Sequence, residues 1–319
     1  QGIKHFLDIA NNVQEKTQLE IQRIIVDAYL GAIAAQANVT VLDENINTLS
    51  KNVEEVHQLF RSGFGEEESV EQLQLTLTSL NNQLDYAKNM AELSHSVVKL
   101  LLGIPLDNPL ELTDQLEGLV LKSLNMEEED PGYANNIDLR IAENQITTEE
   151  IFYRLEKAKG LPSLTAFFNG AYMGNNDRFG FTDKDQKWFG SAAFGVRVKI
   201  PIFSSFGRTA SAQKAKITLE QAKTAFDEAR SKVYYEYEQA KNNYRLAIKK
   251  HINTKDQLNL AERIEKKNKI KFFEGLATSF ELRQAQIQLF SIQQSYIQSM
   301  QAVVVQKTAL DIIINNNPQ

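Results

Sequence analysis

Trp188-Phe189-Gly190-Ser191-Ala192-Ala193-Phe194-Gly195-Val196-Arg197-Val198-Lys199-Ile200-Pro201-Ile202-Phe203 alternates with a period of two. Ala192, Phe194, Val196, Val198, Ile200 and Ile202 share one face, and Ser191, Ala193, Gly195, Arg197 and Lys199 the other. Such alternation predicts a strand with one apolar face. Trp188 and Phe189 stand at its start, and Phe203 and Phe206 just past its end. Aromatics at both ends of an apolar band are the pattern of a membrane-spanning strand. An amphipathic hairpin on a soluble sheet alternates in the same way, so the pattern alone leaves both open. Upstream, Leu164, Ala166, Phe168, Gly170 and Tyr172 alternate with Thr165, Phe167, Asn169 and Ala171, which predicts a second strand. A polar loop around 175–187 joins the two.

On either side of the strands the period changes. In residues 1–62, Ile21, Ile25, Ala28, Ala32, Ala35, Val39, Leu42, Ile46, Leu49, Val53, Val56 and Phe60 step by four and three. A mean step of 3.5 is a heptad stripe, the mark of a helix packed along its length. Roughly 60 residues of helix would span about 90 Å. Gly63-Phe64-Gly65 breaks the pattern, Glu66-Glu67-Glu68 follows, and Val70, Leu73, Leu77, Leu80, Leu84, Ala87 and Ala91 resume it up to Gly103-Ile104-Pro105. The first third therefore reads as an antiparallel helical hairpin. Residues 104–135 hold Pro105, Pro109, Pro131 and the acidic run Glu127-Glu128-Glu129-Asp130, and read as loop with short helix; a helix follows over about 136–158. Beyond the strands, helix returns from about Arg208 to Glu274, with Ala222, Phe226, Ala229, Val233, Tyr237, Ala240, Tyr244 and Ala247 on the heptad stripe. A last helix after Gly275-Leu276-Ala277-Thr278-Ser279 carries two apolar faces and ends near Asn315.

Composition narrows the function classes. The 319 residues carry 35 Lys and Arg against 41 Asp and Glu, a net charge of −6. This disfavours nucleic acid, which needs a clustered positive field. With no cysteine there are no disulfides, thiolate metal sites or cysteine nucleophiles. No apolar run approaches the ~18–20 residues of a membrane-spanning helix, which leaves a β-barrel open. His5, His57, His95 and His251 show no ligand spacing and read as surface histidines, so no metal site is expected. Gly63-Phe64-Gly65 lacks the rest of a phosphate or dinucleotide loop. No nucleophile and base stand in a catalytic arrangement, and no cofactor is expected.

The chain repeats itself. Ser69-Val70-Glu71 and Gln74 match Ser279-Phe280-Glu281 and Gln284, and Gly65 matches Gly275, at an offset of 210 (279 − 69). Each match opens a Gly-x-x-x-Ser turn between two long helices. With that order of elements, four stretches are similar to the outer membrane efflux proteins of the TolC type. Leu161-Pro162-Ser163-Leu164 resembles the family's entry into a membrane strand. Ile200-Pro201-Ile202-Phe203 with Phe206-Gly207-Arg208 resembles the strand exit into a long helix. Phe273 to Leu282 resembles the second hairpin tip, and Asn136-Ile137-Asp138-Leu139-Arg140 the start of the connector helix.

The resemblance implies a mainly α fold with a small β part, in four segments. These are a first-repeat hairpin over 1–103 with its tip at 63–69, an equatorial connector over 104–160, a two-stranded membrane β-barrel segment over 161–207, and a second-repeat hairpin over 208–314 with its tip at 275–279. It implies a homotrimeric, passive export duct of the Gram-negative outer membrane and periplasm, working with a periplasmic adaptor and an inner membrane transporter. Gly63, Phe64, Gly65, Ser69, Gly275, Leu276, Thr278 and Ser279 would contact the adaptor, and plain helix termination accounts for the same glycines and serines. Glu66, Glu67 and Glu68 would charge the entrance or simply begin a helix. Phe194, Val196, Val198, Ile200 and Ile202 would face lipid, with Arg197 and Lys199 toward a watery lumen. The family builds each subunit from four strands and three subunits close one barrel. Two strands in each of three copies would fall below the roughly eight of the smallest single-chain barrels. The expectation is therefore that a strand pair and an export signal precede residue 1. The alternative is a soluble periplasmic coiled-coil scaffold, which would not need the aromatic-bracketed strand.

Overall fold

Heptad stripes make long helices only when something packs against the stripe, since most helical stability comes from tertiary packing. In the computed structural model, which describes residues 2–124, 132–175, 177, 182 and 184–314, the helices follow the stripes. The elements are α1 (Gly2–Arg61), α2 (Glu67–Leu102), α3 (Leu116–Leu124), α4 (Ile137–Ala158), β1 (Ser163–Gly174), β2 (Trp188–Lys199), α5 (Gly207–Phe273) and α6 (Ser279–Ile313). The acidic run at 127–130 lies outside the described residues. The chain divides into two compact units, Gln1–Ile9 with Ile141–Ala229, and Ala10–Arg140 with Arg230–Gln319.

In the larger unit two apolar clusters hold the helices together. Leu42, Leu49 and Val56 of α1 interlock with Val70, Leu73, Leu80, Leu84 and Ala87 of α2, with Phe272 of α5 and Phe290 of α6 against them. The spacings are sevens, threes and fours, as coiled-coil packing requires. The second cluster joins Leu30, Ile33 and Ala34 of α1 to Leu116 and Val120 of α3, Ala247 of α5, and Ile297, Met300, Val303 and Val304 of α6. Short polar links fasten the connector around it. Tyr29 donates its hydroxyl to Asp114 at 2.6 Å, Tyr244 donates to the Ser123 carbonyl at 2.8 Å, and the Asn136 amide donates to the Ile313 carbonyl at 2.8 Å. Asn136 also caps α4, its side-chain oxygen accepting from the Asp138 N–H at 2.9 Å. Arg140 bridges to Glu15 at 2.8 Å, and Lys16 to Asp138 at 2.7 Å.

Four expectations change. Over Leu7–Arg61, α1 is long and apolar enough to cross a membrane by length and composition, contrary to the reading of short runs. Its Leu30, Ile33 and Ala34 are instead in the core against α3, α5 and α6. The stripe in the distal half of α1 is also rotated: Asn45 and Asn52 are buried between the leucines, while Ile46 and Val53 are only half-buried. Apolarity alone picks one face of a helix that has neighbours on two. His251 is buried rather than on the surface, because it continues the α5 stripe after Ala240, Tyr244 and Ala247. Strand β2 ends at Lys199, so Ile200 and Ile202 follow the strand and are not part of it. Pro201 has no N–H to donate to a ladder, so pairing cannot continue regularly through it.

In the smaller unit, β1 and β2 pair antiparallel from Ser163–Lys199 to Gly174–Trp188. The backbone then turns through Ser205 and Phe206, both left-handed at φ 48° and 64°, before α5 begins. Phe206 meets Phe203 edge-to-face, ring centroids 6.2 Å apart.

Candidate functional site: hairpin tips and strand pair

Both hairpin turns close with one geometry. The Gly63 N–H donates to the Phe60 carbonyl at 2.9 Å and that of Phe64 to the Leu59 carbonyl at 3.0 Å. The Gly275 N–H donates to the Phe272 carbonyl at 3.0 Å and that of Leu276 to the Lys271 carbonyl at 2.8 Å. This pair of bonds is a Schellman motif, whose closing residue is left-handed and so favours glycine. Gly63 and Gly275 have φ 80° and 72°.

The equivalence corrects the repeat. Gly63 matches Gly275, and the first residue of α2, Glu67, matches that of α6, Ser279, so the structural offset is 212 (275 − 63) and not 210. At this offset Val70 falls on Leu282 and Leu73 on Ala285, all four buried. Packing decides the register where short identities misled by two residues. The Ser69 expectation falls with it. Ser69 is 7% exposed, its N–H donating to the Glu66 carbonyl at 3.1 Å, so it braces the turn from inside.

What each tip presents outward is a large apolar side chain at matched positions, Phe64 at 87% and Leu276 at 74% exposure. Gly63 and Gly275 beside them are exposed, Thr278 is exposed, and Gly65 and Ser279 are half-buried. Glu66, Glu67 and Glu68 are exposed. The helix starts differ. Thr278 caps α6 in a reciprocal box with Glu281: the Glu281 N–H donates to the Thr278 hydroxyl at 3.2 Å, and the Thr278 N–H donates to the Glu281 carboxylate at 2.8 Å. Hydrogen bonds from the Thr278 backbone and hydroxyl hold the Glu281 carboxyl below its ordinary pKa. Glu66 stands at the cap position of α2 with no side-chain bond, and the acidic Glu67 and Glu68 sit in the first turn, where the helix dipole favours negative charge.

The strand register sorts the sheet into two faces. Leu164, Ala166, Phe168 and Tyr172 of β1 pair with Val198, Val196, Phe194 and Gly190 of β2. This face is apolar throughout and almost wholly uncovered, with Phe194 at 88% exposure. The opposite face pairs Ser163, Thr165, Phe167 and Asn169 with Lys199, Arg197, Gly195 and Ala193. There the Arg197 guanidinium lies over the Phe167 ring, 5.7 Å from its centroid. Glycine at 195 makes room for that ring, since a Cβ there would come within 2.7 Å of it. Each strand has twelve residues. At ~3.3 Å per residue and ~45° tilt, twelve residues rise about 28 Å, close to the thickness of a bilayer's hydrocarbon core.

Sequence reasoning missed several buried polar groups in the helical unit. The Lys307 ammonium meets Asp311 at 2.8 Å with both side chains buried. His251 stacks on Tyr296, centroids 5.3 Å apart, with Nδ1 3.2 Å from the Ser299 hydroxyl. Burial, then nearby Lys255, pushes the His251 pKa below its ordinary value. Extending the heptad register through polar residues would have found it. No group of three His, Asp or Glu among the described residues is placed to hold a metal ion.

Comparison with solved structures gives the architecture. The outer membrane protein VceC of Vibrio cholerae superposes with a TM-score of 0.76 at 17% identity, over 98% of this chain and 73% of that one. The outer-membrane channel OprN gives 0.74 at 16% identity, over 98% and 70%. CusC, described for its folding and transmembrane channel formation, gives 0.75 at 15%, over 97% and 71%. No curated protein sequence matches the chain. The family model described as outer membrane efflux protein matches residues 133–316, more than half of the chain. The chain belongs to the outer membrane efflux protein family.

Proposed function

We propose that the chain is a subunit of a passive export duct through the outer membrane and periplasm. The observation that carries this reading is the strand pair. It has one continuous apolar face and one polar face carrying Arg197 and Lys199, at a length suited to a bilayer. In lipid an open sheet edge is forbidden, so the strand pair must join others in a closed barrel. A homotrimer would contribute six strands to that barrel, two from each copy. Phe194, Val196 and Val198 face lipid in this reading, and Arg197 and Lys199 face the lumen, where charge stays hydrated.

The hairpins over 1–103 and 208–314, joined by the connector over 104–160, form the wall of the periplasmic tunnel in this reading. Phe64 and Leu276, with Gly63, Gly65, Gly275, Thr278 and Ser279, form the surface met by a periplasmic adaptor, which links the duct to an inner membrane transporter. Family membership supports the efflux role, and matched exposed apolar residues at both tips support the contact. Glu66, Glu67 and Glu68 ring the entrance and favour cations. The duct performs no chemistry, and the transporter supplies the energy.

The test is single-channel recording. Protein purified from outer membranes goes into a planar bilayer under several salt gradients. Discrete currents with a cation preference that weakens on Glu66, Glu67 and Glu68→Gln support the reading. Protein that stays in the soluble fraction and never conducts refutes it, and leaves the scaffold.

A further inference from the structure

The polar face of the strand pair is charged at one end only. Arg197 and Lys199 lie on it, opposite Thr165 and Ser163, at the end where α4 leads into β1 and β2 leaves toward α5. Toward the 175–187 loop the same face carries Asn169, Ala171, Ser191 and Ala193, none of them charged. Neither strand contains Asp or Glu. The excess continues past the sheet. Residues 188–219 hold Arg197, Lys199, Arg208, Lys214 and Lys216 and no Asp or Glu, in a chain whose net charge is −6. Arg197 and Lys199 are both exposed. The guanidinium is also supported. Phe167 is seated over Gly195, and Arg197 lies over its ring, 5.7 Å from the centroid. An aromatic face attracts a cation without taking up its N–H donors, so these stay available to an anion.

We propose that Arg197 and Lys199 form an anion-binding ring inside the barrel, at the end that joins the helices, and that the solute drawn through it carries an anionic group. The proposal rests on the duct reading and adds the charge of the cargo. Three copies would set six cations around one level of the lumen, two from each, with no carboxylate on the strands to neutralise them. Rings of Arg and Lys are how pores favour anions, and low-dielectric walls focus their field. This ring opposes the carboxylates of Glu66, Glu67 and Glu68, so its removal sharpens a preference for cations.

Tripolyphosphate, a compact multivalent anion, is the probe, in planar-bilayer recordings of protein purified from outer membranes. On the unaltered protein it should reduce the single-channel current, with the block relieved as salt rises. With Arg197→Gln and Lys199→Gln together, the block should be lost, and the reversal potential in a KCl gradient should shift toward that of potassium. Arg197→Lys with Lys199→Arg keeps both charges and should keep the block. Discrete currents that tripolyphosphate leaves untouched overturn the ring and leave the duct standing. So does a block that survives in the Gln variant with its reversal potential unchanged. Absence of any current from the unaltered protein overturns the duct reading, and the ring with it.

Discussion

A charge placed on the apolar strand face separates a membrane strand from a soluble one. Phe194 lies six residues past Trp188 and five before Lys199, opposite Phe168. At ~3.3 Å per residue and ~45° tilt, it sits about 14 Å and 12 Å from the two ends, near the middle of a ~25 Å apolar band. Arginine at the midplane of a membrane barrel costs about 2–4 kcal/mol, roughly a 30- to 700-fold loss in the folding equilibrium. Three subunits would each bear that cost. The matched control is Ala193→Arg, one residue away, opposite Asn169 and on the face that carries Arg197. It is expected to cost roughly 0–0.5 kcal/mol, as a solvated surface change does. The assay is equilibrium folding into lipid vesicles across a urea series, with outer membrane yield in cells as the second readout. Equal midpoints for Phe194→Arg and Ala193→Arg would refute the face assignment, since a soluble hairpin exposes both faces to one solvent.

Other expectations follow from single sites. Leu73 and Leu49 are fully buried in the first hairpin, so either change to Ala should cost about 2–5 kcal/mol, read as a lowered Tm. Gly275→Ala should cost about 1–2 kcal/mol through backbone strain alone, because a Cβ there meets open space, while Gly207→Ala, at an ordinary φ and in open space, should be near neutral. Asp311→Ala leaves the buried Lys307 ammonium without its carboxylate and should lose about 3–5 kcal/mol, whereas Lys307→Met with Asp311→Leu should be close to neutral. His251 should make stability depend on pH. Its folded pKa lies below the unfolded 6.5, so its contribution is intact above about pH 6.5 and is lost as pH falls toward the folded value. Thermal melts between pH 7 and 5 should drop more steeply for the unaltered chain than for His251→Gln.

Element identity was legible because each period has one physical cause. Apolar residues every 3.5 positions need a helix with a partner, and every second position a strand with one dry face. Termini followed from turn chemistry: Gly63, Gly103 and Gly275 sit where the chain turns left-handed, and Asn136 where a helix needs a cap. What escaped was polar. Asn45, Asn52, His251, Gln286, Ser299, Lys307 and Asp311 are all buried on helices, and polarity by itself gives no sign of that burial. Their burial comes from a second neighbouring helix, which no single stripe reveals. The turn equivalence also escaped, because identities at Ser69 and Ser279 were stronger than the two-residue difference that backbone bonding imposes.

Average hydropathy would have inverted the reading of this chain. The segment in which composition alone sees a membrane-crossing element is α1, whose Leu30, Ile33 and Ala34 are buried against other helices. The segments suited to a bilayer, β1 and β2, are diluted by Thr165, Asn169, Ser191, Arg197 and Lys199 and would be passed over. The difference lies in where a helix and a strand put their side chains. A helix in contact with several neighbours can be apolar around much of its circumference without touching lipid. A barrel strand divides its residues between two solvents, so its mean is intermediate and only its alternation carries information. For Val196 and Arg197, adjacent in sequence, the face of the sheet each joins is decided by parity. A one-residue insertion inside β2 should therefore be far more damaging than one in the 175–187 loop, because it would turn Arg197 and Lys199 onto the apolar face. Equal outer membrane yield for the two insertions would show that parity does not set the faces.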